Sequence, residues 1–189
     1  MSRLYLIRHG KPAATWGDAD EDPGLDAAGQ AQANAVRDVL LTLTGEDRPT
    51  RVVSSPLRRC IETARPTAEA LGVEIEIDPS VGEIPTPKAL AAADRPGWLR
   101  EVFQGHWADV KGDLDYLAWR AGVAGSLISR GRTAVFSHYV AINAVMSSLD
   151  DDDRVMVFRP DHTSMSVLDT DGVTLRLLER GPEASTGVL

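Results

Sequence analysis

Short apolar segments alternate with helix-like segments along this chain, and polar residues begin where each apolar segment ends. Four segments have the length and apolar content of buried strands: 4–7, 51–54, 73–77 and 133–137. Four others space their apolar residues as helices do: 27–43, 57–71, 113–129 and 140–148. This alternation predicts an α/β fold, a three-layer α/β/α sandwich around a mainly parallel sheet.

Two stretches depart from this alternation. Between residues 79 and 105, Pro85, Pro87 and Pro96 interrupt the pattern, which predicts an irregular excursion with a helical piece near residues 88–93. Near the end, two strand-like segments flank Asp171-Gly172, a pair typical of a type I′ turn. The sheet is therefore expected to end in a C-terminal antiparallel hairpin.

The composition narrows the kind of protein. At 189 residues and 43% hydrophobic content, the chain fits a single domain, predicted over 1–181 with 182–189 as a flexible tail. A formal net charge of -8 argues against nucleic-acid or membrane-surface partners. A lone cysteine, Cys60, leaves no disulfide framework and no Cys-rich metal site. Without a signal-peptide pattern or a long apolar run, we expect a soluble cytoplasmic protein.

Histidine and arginine residues follow three of the predicted strands. Arg8 and His9 follow the first, Arg58 and Arg59 come shortly after the second, and His138 follows the fourth. Because ligands of parallel sheets gather at the carboxyl ends of the strands, these side chains are expected to meet. Guanidinium groups match phosphate oxygens, and nearby positive charge keeps an imidazole neutral and nucleophilic. The set therefore predicts a phosphate site that requires neither metal nor cofactor.

The same residues lie in motifs of a known family. LIRHG at 6–10, SSPLRRCIETA at 54–64 and FSH at 136–138 resemble, in order and spacing, the histidine phosphatase superfamily of phosphoglycerate-mutase-like enzymes. Gly24-Leu25, Gly29 and Gln32-Ala33 extend the resemblance. It implies the family's fold and a phosphoryl-transfer reaction through a covalent phosphohistidine.

The resemblance also implies roles for individual residues. His9 would accept the phosphoryl group, and Arg8 and Arg59 would bind the phosphate. His138 would contact the phosphoryl oxygens, while Arg58 would be a surface neighbour of Arg59. Glu83 is the candidate proton donor, with Asp78 and Asp94 as substitutes, because burial beside a bound phosphate would raise its pKa.

Two further positions bear on the predicted site. The family often has glycine after its second histidine, whereas this chain has Tyr139, which we expect to narrow or reshape the entrance. Asp161-His162-Thr163-Ser164 resembles a late segment that approaches the phosphate in relatives, which makes Thr163 a candidate phosphate contact beside the alternative of an ordinary turn.

The predicted activity is hydrolysis of a phosphate monoester, on a small metabolite or on a phosphorylated side chain of a protein. The alternatives are a phosphoglycerate-type mutase, a phosphohistidine-protein phosphatase and a catalytically silent phosphate-binding module. The sequence disfavours a cysteine phosphatase, since Cys60 and Arg65 have only four residues between them and lie in a predicted helix. The aspartates at 150–153 are expected to form a solvated loop, and His106 is expected to be a packing or wall residue.

Overall fold

The computed structural model describes residues 1–14, 20 and 22–185 and contains one six-stranded sheet. Its strands are β1 (Ser2–Arg8), β2 (Arg51–Ser54), β3 (Ile75–Ile77), β4 (Thr133–Ser137), β5 (Met165–Thr170) and β6 (Leu175–Glu179). The longer helices are α1 (Ala27–Thr42), α2 (Arg58–Leu71), α3 (Arg95–Gln104), α4 (Tyr116–Leu127) and α5 (Tyr139–Leu149).

The order of strands in the sheet is β3-β2-β4-β1-β5-β6. The first four strands of this order are parallel, whereas β5 pairs antiparallel with β1 and β6 antiparallel with β5. The predicted α/β fold, with its mainly parallel sheet and antiparallel hairpin, is thereby confirmed. The order also makes β1 and β4 neighbours near the centre of the sheet, although they are distant in sequence.

Helices cover both faces of the sheet. Alternate residues of β1 point to opposite sides, so that Tyr5 and Ile7 belong to one buried cluster and Leu4 and Leu6 to the other. The first cluster includes the apolar sides of α1 and α2, and the second includes those of α3, α4 and α5. All five residues of β4 are buried, as expected for a central strand covered on both sides.

Two helix ends form as the sequence predicts. The carboxylate of Asp26 accepts a hydrogen bond from the backbone N–H of Gly29 at 2.7 Å and so caps α1. Gly72 ends α2 with φ 69°, the left-handed conformation that glycine adopts without steric cost.

The helical piece predicted near residues 88–93 is present only at the end of that range. Residues 88–90 form a turn, a short 3-10 helix spans Ala92–Asp94 at the end of the predicted range, and the longer helix of this region is α3, which begins at Arg95. Pro96 stands in the first turn of α3, where its missing N–H breaks no helical hydrogen bond. The proline that interrupts the sequence pattern thus lies in the first turn of a helix.

The hairpin turn also differs in detail from the prediction. A type I′ turn requires positive φ at both central residues, but of the pair only Gly172 has it, at 86°. The Asp171 carboxylate instead accepts hydrogen bonds from the N–H groups of Val173 and Thr174 at 2.9 and 2.7 Å. The Asp171 side chain thus organises a longer connection between β5 and β6.

Backbone pairing extends beyond the predicted domain boundary at 181. The N–H of Asp161 donates to the carbonyl of Pro182 at 3.1 Å, and that of Ala184 donates to Arg159 at 2.9 Å. The rest of the predicted tail, 186–189, lies outside the described residues. In the described part of the chain, no helix is both long enough and apolar enough to span a membrane.

Candidate active site

The carboxyl ends of β1 and β4 bring the two histidines of the motifs together. The parallel register pairs Arg8 with Ser137, and the N–H of His9 donates to the Ser137 carbonyl at 3.0 Å. The rings of His9 and His138 lie 5.3 Å apart between centroids. Arg59, in the first turn of α2, completes the cluster from the side of β2. Residues almost 130 positions apart in sequence thus share one buried site.

The hydrogen bonds of His9 define where its lone pair lies. Its Nδ1 is 2.8 Å from the carbonyl of Gly10, and Arg59 Nε donates to its Nε2 at 3.3 Å. Because a carbonyl only accepts, the proton of the neutral ring is on Nδ1 and the lone pair on Nε2. Burial, followed by the charges of His138, Arg8 and Arg59, lowers the pKa of His9 well below its ordinary value. His9 therefore presents a neutral, nucleophilic Nε2.

Close backbone packing holds the loop that carries His9. A Cβ on Gly10 would lie 2.8 Å from the carbonyl oxygen of Gly29, and a Cβ on Gly29 only 2.2 Å from that of Lys11. The N–H of Gly10 also donates to Thr63 Oγ1 at 2.9 Å. Both motif glycines thus let the loop lie directly against α1, which fixes the carbonyl that orients His9.

Arg59 contacts both histidines with one guanidinium group. Its Nη2 lies 3.2 Å from His138 Nδ1, and its Nη1 lies 3.8 Å from the carboxylate of Asp22. Only 6% of Arg59 is exposed. Arg58 instead forms an exposed ion pair with Glu62 at 2.7 Å, so the structure places the two arginines as the sequence predicted.

Arg8 is buried beside His9 and lies over an aromatic ring. Its Nη1 donates to the carbonyl of Pro160 at 2.9 Å, and its guanidinium carbon lies 4.9 Å from the centroid of the Tyr139 ring. Among the described residues, Arg8 Nε has no hydrogen-bond partner. Burial lowers the pKa of Arg8 to about 10, so the group stays charged at neutral pH. A buried cation with a free N–H is suited to receive an anion.

Tyr139 is a buried side chain, and its effect on the entrance stays a prediction. It is 2% exposed and packs between Arg8 and the ring of Phe103, 5.7 Å away. Tyr139 is the first residue of α5, directly after His138. The ring of Tyr139 thus packs against the guanidinium group of Arg8.

Glu83 is half-buried close to the arginines. Its Oε1 accepts a hydrogen bond from the N–H of Ile84 at 2.9 Å. Burial raises the pKa of Glu83, although this hydrogen bond and the charges of Arg59, Arg95 and Arg8 oppose the increase. The two substitute carboxylates are placed differently, since Asp78 pairs with Arg130 and Asp94 is exposed.

The late segment contributes differently from the expectation that Thr163 contacts phosphate. Thr163 Oγ1 donates to the carbonyl of His162 at 2.6 Å, and its N–H donates to the carbonyl of His9 at 3.3 Å. Its φ of 59° is unusual for a β-branched residue and turns the chain back toward His9. Thr163 as a phosphate ligand stays a prediction, while its observed contact is with the backbone carbonyl of His9.

Two residues near the site were not predicted from the sequence. The ring of His162 lies 5.9 Å from that of His9, and burial with the charge of Arg8 lowers its pKa to about 4. Arg95, at the start of α3, acts electrostatically on Glu83 and His138. No signal in a single sequence marks Arg95 as a site residue, because its position depends on where α3 begins.

The competing candidates lie in unsuitable surroundings. Cys60 is fully buried inside α2, and burial raises the pKa of its thiol, which disfavours a thiolate nucleophile. Asp150 pairs with Arg180, and His106 is exposed beside Asp109. Within residues 1–14, 20 and 22–185, no group of three or more His, Cys, Asp or Glu side chains is arranged to hold a metal ion.

The sheet defines an α/β protein that carries a buried cluster of histidine and arginine side chains at the carboxyl ends of parallel strands, where such folds bind ligands. A family model described as the histidine phosphatase superfamily (branch 1) matches residues 4–110, more than half of the chain. The chain belongs to the histidine phosphatase superfamily, as its motifs indicated.

A curated relative and several solved structures resemble the chain. A probable phosphoglycerate mutase of Enterobacter sp. (strain 638) is 34% identical over 89 residues, which are 44% of this chain and 39% of that protein. The match therefore spans well under half the length of that mutase.

Among solved structures, a phosphoserine phosphatase from Entamoeba histolytica in complex with 3-phosphoglyceric acid has a TM-score of 0.73 at 20% identity, covering 96% of this chain and 98% of that one. A mycobacterial glucosyl-3-phosphoglycerate phosphatase has a TM-score of 0.69 at 21% identity and covers 97% and 100%. A putative α-ribazole-5′-P phosphatase from Escherichia coli has a TM-score of 0.71 at 21% identity and covers 100% and 99%. At these identities the likeness establishes the shared fold.

Proposed function

We propose that this protein hydrolyses phosphate monoesters of small metabolites through a covalent phosphohistidine on His9. The observation that carries the proposal is the lone pair of His9 Nε2, which faces the Arg59 guanidinium in a site that Arg8 and His138 also line. A neutral nucleophile surrounded by buried cations is arranged for attack on an anionic phosphoryl group.

The reaction would proceed in two displacements at phosphorus. His9 Nε2 forms a bond to phosphorus while the bond to the ester oxygen breaks, and Glu83 gives its proton to the departing alkoxide. Arg8, Arg59 and His138 stabilise the charge on the three transferring oxygens. Glu83, now ionised, then takes a proton from a water molecule that attacks phosphorus and displaces His9. The products are an alcohol and inorganic phosphate, and the site returns to its initial state.

The raised pKa of Glu83 supports its role as the acid of the first step. A carboxylic acid must hold its proton until the leaving group needs it, and burial favours the neutral form. After transfer, the same environment makes the carboxylate a stronger base toward water.

Small phosphorylated metabolites are the favoured substrate class because three similar folds belong to metabolite phosphatases or a putative one. A phosphoglycerate-type mutase is the second candidate, favoured by the match to the probable mutase of Enterobacter. Incubation with 3-phosphoglycerate separates the two, since a mutase forms the 2-phospho isomer whereas a phosphatase releases inorganic phosphate.

The basic activity is tested with p-nitrophenyl phosphate. We expect hydrolysis that persists with EDTA, falls with vanadate and is lost in His9→Ala. His106→Ala is the matched control, because it removes an exposed histidine outside the cluster and should retain wild-type activity.

The covalent intermediate is tested by labelling with a phosphate ester radiolabelled on phosphorus. A phosphohistidine is labile in acid and stable in alkali, and we expect this pattern in the wild type but no label in His9→Ala. An acid-stable label, or a label retained without His9, would contradict the proposed nucleophile.

A further inference from the structure

Two buried side chains that the proposed reaction does not use contact the ring of His138 on the side away from Arg59. His138 Nε2 lies 2.7 Å from Ser55 Oγ and 3.3 Å from Cys60 Sγ. His138, Ser55 and Cys60 are all completely buried. On the other side of the ring, Nδ1 lies 3.2 Å from Arg59 Nη2. One imidazole nitrogen thus faces the protein interior and the other faces the anion site.

The partners fix the directions of these hydrogen bonds. A guanidinium group only donates, so Nδ1 of His138 must accept from Arg59. The single proton of the neutral ring is then on Nε2 and is donated to Ser55 Oγ. The backbone N–H two residues after Ser55 donates to Ser55 Oγ at 3.3 Å, and the Cys60 thiol donates to the carbonyl of Ser137 at 3.4 Å. Contacts with the backbone thus hold both side chains beside Nε2 of His138.

We propose that Ser55 and Cys60 are positioning residues that keep one proton of His138 on Nε2, so that His138 must gain a second proton on Nδ1 when a phosphoryl group binds. This inference rests on the proposed function in that it takes the cluster of His9 and Arg59 as a phosphoryl site. The second proton comes from solvent, and His138 becomes an imidazolium that donates to a phosphoryl oxygen.

The charges around His138 explain why the second proton arrives only with the anion. At rest, burial and the guanidinium charges of Arg59, Arg8 and Arg95 disfavour imidazolium. A bound phosphoryl group adds up to about two negative charges and engages Arg59, which leaves the Nδ1 lone pair facing an anionic oxygen unless it is protonated. The titratable or charged groups facing the ring or its neighbours are Arg59 and Cys60 on α2, Arg8 at the end of β1, His9 directly after it, Glu83 after β3, Arg95 on α3 and Asp22 beside Arg59.

Without the Ser55 hydroxyl, a different proton arrangement becomes accessible. In Ser55→Ala the Nε2–H loses its closest acceptor, so the ring can place its single proton on Nδ1 and donate to phosphate while remaining neutral. A neutral donor stabilises transferring oxygens less than an imidazolium does. We therefore expect kcat to fall about tenfold in Ser55→Ala, the difference between a charge-assisted and a neutral hydrogen bond to the transferring oxygens.

The direct test is NMR of protein labelled with ¹⁵N in histidine, recorded with and without saturating inorganic phosphate. Two-bond ¹H–¹⁵N correlations distinguish both neutral tautomers from imidazolium, and a His138→Gln sample assigns the signals. We expect wild-type His138 to carry its proton on Nε2 at rest and on both nitrogens with phosphate. A ring that keeps a single proton with phosphate, or that does not respond to phosphate, would overturn the inference.

Variants separate positioning from simple packing. Ser54→Ala is the matched control, because Ser54 is equally buried but its hydroxyl donates to the carbonyl of Ser55. We expect the doubly protonated ring in Ser54→Ala and in Cys60→Ser, and its loss in Ser55→Ala. If Ser55→Ala does not fold, Cys60→Ala provides the same comparison, with a smaller change. Retention of the imidazolium in both alanine variants would overturn the role of Ser55 and Cys60.

The measurement needs no turnover, so it can fail independently of the proposed function. A protein that hydrolyses phosphate esters but keeps His138 neutral would contradict only the positioning role. A protein that protonates His138 with phosphate but forms no phosphohistidine would contradict only the hydrolytic function.

Discussion

Adjacent arginines illustrate how one helical step separates a site residue from a surface residue. Arg58 and Arg59 are about 100° apart around α2, so that Arg59 points at the histidines and Arg58 points at solvent. Arg59 loses most of its hydration in this position and regains interactions with His9 and His138. Identical side chains therefore have different consequences when removed.

The two arginines form a matched pair for mutagenesis. We expect Arg59→Ala to lower kcat/KM by about a hundredfold or more, since a preorganised donor to the transferring oxygens is lost. Arg58→Ala removes only an exposed ion pair and should change kcat/KM by less than about twofold. Steady-state kinetics on p-nitrophenyl phosphate measures both, and equal losses would contradict the assignment of Arg59 to the anion site.

The proton donor can be tested by the quality of the leaving group. Glu83→Gln should slow an alkyl phosphate strongly but p-nitrophenyl phosphate little, because nitrophenolate departs without a proton. The check is the ratio of kcat/KM values for the two esters in variant and wild type. Equal losses on both would count against Glu83 as the acid.

The pH dependence follows from the directions of two pKa shifts. Because the pKa of His9 is lowered, the nucleophile stays unprotonated as pH falls below the ordinary range of histidine. Because the pKa of Glu83 is raised, the acid is lost only as pH rises above the ordinary range of a carboxyl group. For an alkyl phosphate we therefore expect activity to persist in mildly acidic buffer and to fall as pH rises, and Glu83→Gln should flatten the alkaline fall. An alkaline fall unchanged in Glu83→Gln would assign it to another group.

At the scale of elements, the first turns of helices position the site residues. α2 follows β2 after a short turn and carries Arg59 in its first turn, and α5 begins directly after His138. Each helix runs back along the sheet, so that its first turn is the part that reaches the site. The ends remote from the site serve stability, as Gly72 does at the end of α2.

Substitution by alanine at two glycines without close neighbours should change the free energy of unfolding in opposite directions. Gly72 has φ 69°, so Gly72→Ala should lower the free energy of unfolding by about 1 kcal/mol through strain alone. Gly125 lies within α4 with open space around it, so Gly125→Ala should raise the free energy of unfolding by about 0.5–1 kcal/mol. Denaturant unfolding compares the two, and a gain for Gly72→Ala would contradict the left-handed end of α2.

At the scale of the whole molecule, the fold places neutral imidazole rings beside buried cations. His9, His138 and His162 all have lowered pKa values in the folded protein, chiefly because burial disfavours their charged forms. The unfolded chain can protonate these rings at ordinary histidine pKa values. The arrangement therefore makes folding sensitive to pH on the acid side.

We expect the free energy of unfolding to fall as pH decreases below about 6.5, the ordinary pKa of histidine. In this range the unfolded state binds protons that the folded state does not, at about 1.4 kcal/mol per pH unit for each such histidine. His162→Gln should reduce this slope by about one proton between pH 6.5 and about 4, the folded pKa of His162. Denaturant unfolding across pH measures the slope, and an unchanged slope in His162→Gln would contradict the lowered pKa.

Local sequence determined the elements and most residues of the cluster. Strand-length apolar runs, the cap at Asp26 and the glycine at 72 act over a few residues, so their patterns are legible in the chain itself. The motifs around His9, Arg59 and His138 likewise lie at fixed distances from strand ends. The hydrophobic period and the chemistry of single residues predicted the elements and the gathering of these side chains, whereas the choice of Arg59 over Arg58 rested on the family resemblance.

Only the tertiary structure decided which side chains face one another. The place of β4 beside β1, the burial of Tyr139 under Arg8 and the approach of His162 to His9 depend on packing between distant segments. The start of α3 at Arg95 also escaped prediction, because a proline can end a helix or begin one and the choice depends on the surrounding chain. Local patterns specify which elements form and where polar residues leave them, whereas burial and electrostatic environment arise only when those elements pack together.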